Sequence, residues 1–125
     1  MSSVPADLKY TKEHEWVRGT SATTFQIGIT DFAQGALGDI VYIQLPKVGQ
    51  SVTSGAVCGE VESTKSVSEI YSPLTGIVKS VNPALDANPE LLNQDPYVAG
   101  WIAEIEISAA PSDLLTNAEY EALTA

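Results

Sequence analysis

Two runs of alternating residues, 57–63 and 66–72, stand on either side of the dipeptide Thr64-Lys65. In the first, Val57, Gly59 and Val61 alternate with Cys58, Glu60 and Glu62; in the second, Val67, Glu69 and Tyr71 alternate with Ser68, Ile70 and Ser72. A period of two is the repeat of a β-strand, and two intervening residues are the length of a tight hairpin connection. The chain is therefore predicted to fold back on itself at Thr64-Lys65. Neither residue is Gly, Asn or Asp, so the primed turns usual in hairpins are not favoured, and a type I turn with a lysine at its apex is expected.

The rest of the sequence repeats this pattern. Phe25, Ile27 and Ile29 alternate with Gln26, Gly28 and Thr30, and residues 40–45 form an apolar stretch broken only by Gln44. Residues 76–81 and 101–107 alternate too, the latter with Trp101, Ala103, Ile105 and Ile107 on one side and Ile102, Glu104 and Glu106 on the other. Many short strands separated by Gly, Pro, Asn or Ser read as an all-β sandwich or barrel. Helical signals are brief. Thr30 or Asp31 can cap a stretch through Leu37 that ends at Gly38, and residues 89–92 allow one turn. Thr116 or Asn117 can cap a last helix carrying Tyr120 and Leu123, expected to lie across the sheet as a lid. A weak repeat, residues 38–46 against 76–83, places the hairpin between two related sheet units.

At 125 residues a single domain, 1–125, is expected. Six basic and sixteen acidic residues give a net charge of −10, which argues against a nucleic-acid phosphate track and fits either a solvated acidic surface or partners with basic docking surfaces. The longest unbroken apolar run is residues 40–43, far short of the roughly 20 needed to cross a membrane. One cysteine, Cys58, cannot form an internal disulfide and fits a reducing compartment. The first ten residues carry no signal or transit pattern, so bacterial cytoplasm and a soluble acidic monomer are expected.

Catalytic side chains are scarce. There is one His, His14, and one Cys, so a Cys and His zinc site is excluded by count. The acid pairs Glu13 with Glu15, Glu60 with Glu62 and Glu104 with Glu106 have the spacing of neighbours on a solvated strand face. Any reactive group this chain uses must come from elsewhere.

The hairpin sequence Glu62-Ser63-Thr64-Lys65-Ser66, followed by Ser72-Pro73-Leu74-Thr75-Gly76, resembles the lipoyl-lysine hairpin of glycine cleavage H proteins. The resemblance extends in order through His14-Glu15-Trp16, Gly28-Ile29-Thr30-Asp31, Ala33-Gln34, Leu37-Gly38-Asp39-Ile40-Val41, Leu45-Pro46, Asn88-Pro89-Glu90-Leu91-Leu92-Asn93, Pro96-Tyr97 with Gly100-Trp101, and Leu114-Leu115 with Tyr120. It covers about residues 8–123. A biotin carrier would usually flank its lysine with Met; here the flanks are Thr64 and Ser66.

The resemblance implies a mainly β fold, a two-sheet barrel-sandwich hybrid of the lipoyl/biotinyl type with short helices and a C-terminal helix. It implies a non-catalytic carrier whose lipoate, covalently bound to Lys65, takes an aminomethyl group from the pyridoxal-phosphate enzyme glycine decarboxylase. The group passes to a tetrahydrofolate-dependent aminomethyltransferase, and dihydrolipoyl dehydrogenase reoxidises the dithiol. The alternative is an H-protein-like lipoyl carrier or donor acting outside glycine cleavage. By the same resemblance Glu62 and Gly76 serve recognition by lipoylating enzymes, and His14, Glu15 and Glu69 lie at a cleft where the loaded arm rests. On their own residue types, Gly76 also reads as a turn glycine that would be strained at positive φ if replaced, and the lone His14 as the maker of a structural hydrogen bond. One departure stands out: many relatives have His after Thr-Asp, where this chain has Phe32. Trp16 and Trp101 are expected in the core, and Cys58 as a buried or half-buried spectator.

Overall fold

The computed structural model describes residues 3–124; the outermost residues of the expected 1–125 domain lie outside the described residues. Among the described residues nine strands form two antiparallel sheets. In chain order they are β1 (Lys9–Tyr10), β2 (Glu15–Gly19), β3 (Thr24–Ile29), β4 (Ile40–Gln44), β5 (Ser51–Val52), β6 (Val57–Ser63), β7 (Val67–Tyr71), β8 (Gly76–Val81) and β9 (Ala103–Ile107). Six of them form a sheet in the order β1-β2-β3-β9-β8-β5, and three form a second sheet, β4-β6-β7. Neither is closed into a barrel by the pairings among the described residues, so the sandwich half of the expected hybrid describes the fold best.

Alternation selects the buried faces. Ile40, Ile43, Val61 and Ile70 of the smaller sheet meet Val17, Ile27, Val78 and Ile105 of the larger in one aliphatic cluster. Each such branched side chain contributes about 1.5–3 kcal/mol by leaving water. A second, aromatic cluster of Leu8, Tyr10, Trp16, Tyr97 and Tyr120 closes the β1 end. The outward face of β4-β6-β7 carries the cross-strand rows Tyr42, Glu62, Val67 and Gln44, Glu60, Glu69.

Among the described residues three short helices lie between strands, α1 (Asp31–Leu37), α2 (Ala84–Ala87) and α3 (Leu91–Gln94), and a fourth, α4 (Asn117–Thr124), follows β9. The caps expected for α1 are present. Thr30 Oγ1 accepts from the Ala33 amide at 3.2 Å, and Gly38 adopts φ 83°. Thr116 and Glu119 form a reciprocal capping box at the start of α4.

Several expectations need correction. Helix α2 was not anticipated; Asn82 creates it by accepting from the Ala84 amide while its own amide donates to the Ala99 and Trp101 carbonyls. The turn expected at 89–92 is present, closed by the Leu92 amide donating to the Pro89 carbonyl at 3.1 Å, but the chain continues beyond it into α3. Helix α4 packs on β1 through the stacked Tyr10 and Tyr120 rings rather than across the sheet, which leaves Leu123 exposed. The repeat copies fall in different sheets, β4 in one and β8 in the other. Ile102 precedes β9 and is fully buried, so it does not share an outer face with Glu104, while Trp101 is only partly buried. Among the acid pairs, Glu13 and Glu15 do not share a solvated face: β2 begins at Glu15, which is buried.

Candidate functional site

Lys65 is exposed at the middle of the connection 64–66 between β6 and β7, and the Ser63–Ser66 backbone bond encloses the Thr64-Lys65 pair at which the spacing predicts the fold-back. The turn closes through Ser63, not through turn-forming residues at its centre. The Ser63 amide donates to the Ser66 carbonyl at 2.8 Å, while Ser63 Oγ accepts from the amides of Lys65 at 3.2 Å and Ser66 at 3.1 Å. A hydroxyl thus takes over the acceptor role of a backbone carbonyl, which frees Thr64 and Lys65 from any special conformational demand.

The tip is also held from outside the hairpin. The Thr64 amide donates to the Asp39 carbonyl at 3.0 Å, and the lysine stem lies over Gly38: a Cβ built there would stand 3.0 Å from Lys65 Cε. Nothing in the spacing of the hairpin signals this second anchor.

Glu62 is exposed beside the tip, paired in register with Tyr42 on one side and Val67 on the other. Gly76 is elsewhere: it opens β8 in the six-stranded sheet and is buried. The expectation of a turn glycine, with strain from positive φ if replaced, does not hold. Gly76 is absent from the positive-φ glycines, and its side of the strand is closed by β9, where a Cβ would collide with the Glu106 carbonyl oxygen.

At the end of β7 away from the lysine lies a cleft of about 530 Å³, lined by residues that include Thr11, Glu13, Glu15, Tyr71, Pro73 and Leu114. Glu15 is 3% exposed. Its carboxyl accepts from Thr11 Oγ1 at 2.7 Å and from the Tyr71 amide at 3.4 Å. Burial dominates these contacts and pushes its pKa up to about 8. Glu69 is not among the residues lining that cleft: it is exposed on the neighbouring face, in a separate hollow with Gln44 and Glu60, and the Tyr71 hydroxyl donates to it at 3.3 Å, so Tyr71 links the two carboxyls. Sequence patterning did not single out Tyr71.

His14 is not among the residues lining that cleft. It sits in the left-handed region at φ 69°, and its Nδ1 is 2.7 Å from the Tyr120 hydroxyl, which is itself 2.7 Å from Thr30 Oγ1. The ring packs at 4.8 Å from Phe32, the residue that departs from the family pattern. Burial lowers its pKa. Cys58 is buried, with its thiol pushed up to about 12 by desolvation. Among the described residues no group of three His, Cys, Asp or Glu side chains could hold a metal ion.

Residues 8–125 match the family described as glycine cleavage H-protein. The chain belongs to that family. A glycine cleavage system H protein of Mycobacterium bovis is 52% identical over 118 residues, covering 94% of this chain and 88% of the relative. One from Mycobacterium avium is 56% identical over 110 residues, covering 88% and 83%. The crystal structure of a glycine cleavage system H protein from Mycobacterium marinum superposes with a TM-score of 0.90 at 42% identity, covering 97% of this chain and 98% of that one. As a glycine cleavage H-protein, the chain has the role of lipoyl carrier in that system. No helix of the described residues is long and apolar enough to cross a membrane.

Proposed function

We propose that Lys65 is the attachment point, with lipoate joined to its Nζ as an amide by a lipoylating enzyme. The carrying observation is an exposed lysine at the apex of a two-stranded hairpin whose turn is closed by Ser63 and tied to Asp39. The residues fit the group: a primary amine is offered to solvent from a braced backbone, so the long arm and not the hairpin does the searching. When bound, the lipoyl group supplies the sulfur redox chemistry that the chain's own side chains lack. The protein itself is a non-catalytic component in this reading.

The enzymes served are glycine decarboxylase, the aminomethyltransferase and dihydrolipoyl dehydrogenase. The acidic charge of −10 suits basic docking surfaces on them and leaves nucleic acid and membranes as poor partners. Bacterial relatives and a free, buried Cys58 support a reducing bacterial cytoplasm as the place of work. We read residues 1–125 as one carrier domain acting as a monomer.

Glu62 is the residue we assign to recognition by the lipoylating enzyme, since it is exposed one cross-strand row from the tip. Gly76 enters that recognition through the backbone position of β8. Glu15, whose buried carboxyl stays protonated below about pH 8, and Glu69, on the face beyond Tyr71, are assigned to the resting cleft, where their oxygens accept from the amine of the loaded arm. His14, which lies outside the cleft lining and is bonded to Tyr120, is left out of the resting cleft and assigned a structural role.

The attachment site is tested by incubating the chain with lipoate, ATP and a lipoate ligase, followed by intact-mass and peptide mapping. One lipoyl addition confined to the peptide holding Lys65, and absent from Lys65→Arg, is expected. Addition elsewhere would overturn the assignment.

A further inference from the structure

The corner between α1 and β4 is gripped by one side chain. Asn93, on α3, accepts from the Ile40 amide through Oδ1 at 2.9 Å, and its Nδ2 donates to the Gly38 carbonyl at 2.9 Å and to Gln34 Oε1 at 2.9 Å. These bonds hold the backbone on both sides of Asp39. The carbonyl of Asp39 accepts from the Thr64 amide at 3.0 Å, and Gly38 is the surface over which the Lys65 stem lies. Asp39 itself is exposed, so its backbone is fixed by neighbours and not by burial of its side chain. A primary amide suits this task because it can accept from one peptide group and donate to another from a single rigid plane.

We propose that Asn93 is a positioning residue for the modified lysine: by locking residues 38–40 it fixes the carbonyl that anchors Thr64, and so sets the direction from which Lys65 is presented. The inference rests on the assignment of Lys65 as the lipoylated residue. It concerns the unmodified chain, in which the anchor exists before any group is attached. Without the grip, the Asp39 carbonyl is free to turn, and the hairpin tip retains only the bonds made by Ser63.

The test compares full-length wild type, Asn93→Ala and Asn93→Asp, the last keeping the acceptor to Ile40 while removing both donors. Amide hydrogen exchange read by NMR should show Thr64 losing protection about three- to ten-fold in both variants, the scale of one hydrogen bond, with Val61 in β6 unchanged. Lipoylation by a lipoate ligase with free lipoate and ATP, followed by intact mass, should fall in kcat/KM by a similar factor. Wild-type Thr64 exchange and wild-type lipoylation in either folded variant would overturn the proposal. So would a parallel loss of protection at Thr64 and Val61, or failure of both variants to fold, since either makes Asn93 a residue of general stability. Lack of modification of the wild type itself, with the exchange pattern as expected, would strike the Lys65 assignment and leave the anchor standing.

Discussion

The carboxyl of Glu15, at the start of β2, accepts from the Tyr71 amide at the end of β7, a contact of 3.4 Å that joins the six-stranded sheet to the three-stranded one. The same strand β7 that begins beside the lysine tip thus ends against a buried acid. Thr11 holds the other carboxyl oxygen, so the group is fixed on both sides while the cleft opens in front of it.

Burial raises Glu15 from 4.5 to about 8. Between those values the folded chain holds a proton that the unfolded chain has lost, so stability falls as pH rises through this window and levels off above it. Glu15→Gln keeps shape and removes the titration. The variant should be equal to wild type in stability near pH 4.5 and more stable by about 1–3 kcal/mol at pH 9, as read by urea unfolding. An equal difference at both pH values would show that the carboxyl is not held neutral.

Gly76 and Glu62 should separate cleanly. Gly76→Ala drives a methyl group into the Glu106 carbonyl of β9, and a loss of about 2–4 kcal/mol is expected. Glu62→Ala, on an exposed strand position, should change stability by less than about 0.5 kcal/mol and still slow lipoylation. Unfolding midpoints and ligase kinetics on the two variants check both statements.

Tyr120 bridges His14 and Thr30 with one hydroxyl. Tyr120→Phe leaves the ring stacked on Tyr10 but strands two partners, for an expected loss of about 1–3 kcal/mol. His14 has its pKa lowered by burial, so the unfolded chain binds the extra proton first. The His14 contribution is complete above pH 6.5 and is lost as pH falls towards its lower folded value. Thermal unfolding of wild type against His14→Gln across this range measures it.

Cys58 is buried with a thiol pKa pushed up to about 12, so the thiolate that reacts is scarce in the native state. Labelling by a disulfide reagent at pH 8 should be slow in buffer and fast in urea. Rapid labelling of the native chain would contradict the burial.

The hairpin was legible because strand period and turn length are local properties: residues 57–63 and 66–72 carry them without reference to the rest of the chain. The caps of α1 were legible for the same reason. What was not legible depends on contacts between distant segments. Alternation cannot say that Glu15 faces a cleft closed by β7, or that Val41 and Tyr42 in the apolar run are about half exposed. Nor can it say that Gly76 is needed by β9 instead of by a turn. Helix α2 was missed because the Asn82 side chain that accepts from its first amide is held by carbonyls seventeen and nineteen residues away. Spacing placed Lys65 at the tip, but its role and every other site residue came from resemblance, and Tyr71, which connects Glu15 and Glu69, escaped both routes.

The central claim is that this chain works in glycine cleavage through a group carried on Lys65. The most direct measurement is NADH formation from glycine, tetrahydrofolate and NAD by glycine decarboxylase, the aminomethyltransferase and dihydrolipoyl dehydrogenase, with this chain as the only carrier added. Lipoylated wild type should support turnover, and Lys65→Arg treated identically should give the rate of the mixture without carrier. Turnover with Lys65→Arg, or none with wild type shown by mass to be lipoylated, would contradict the account.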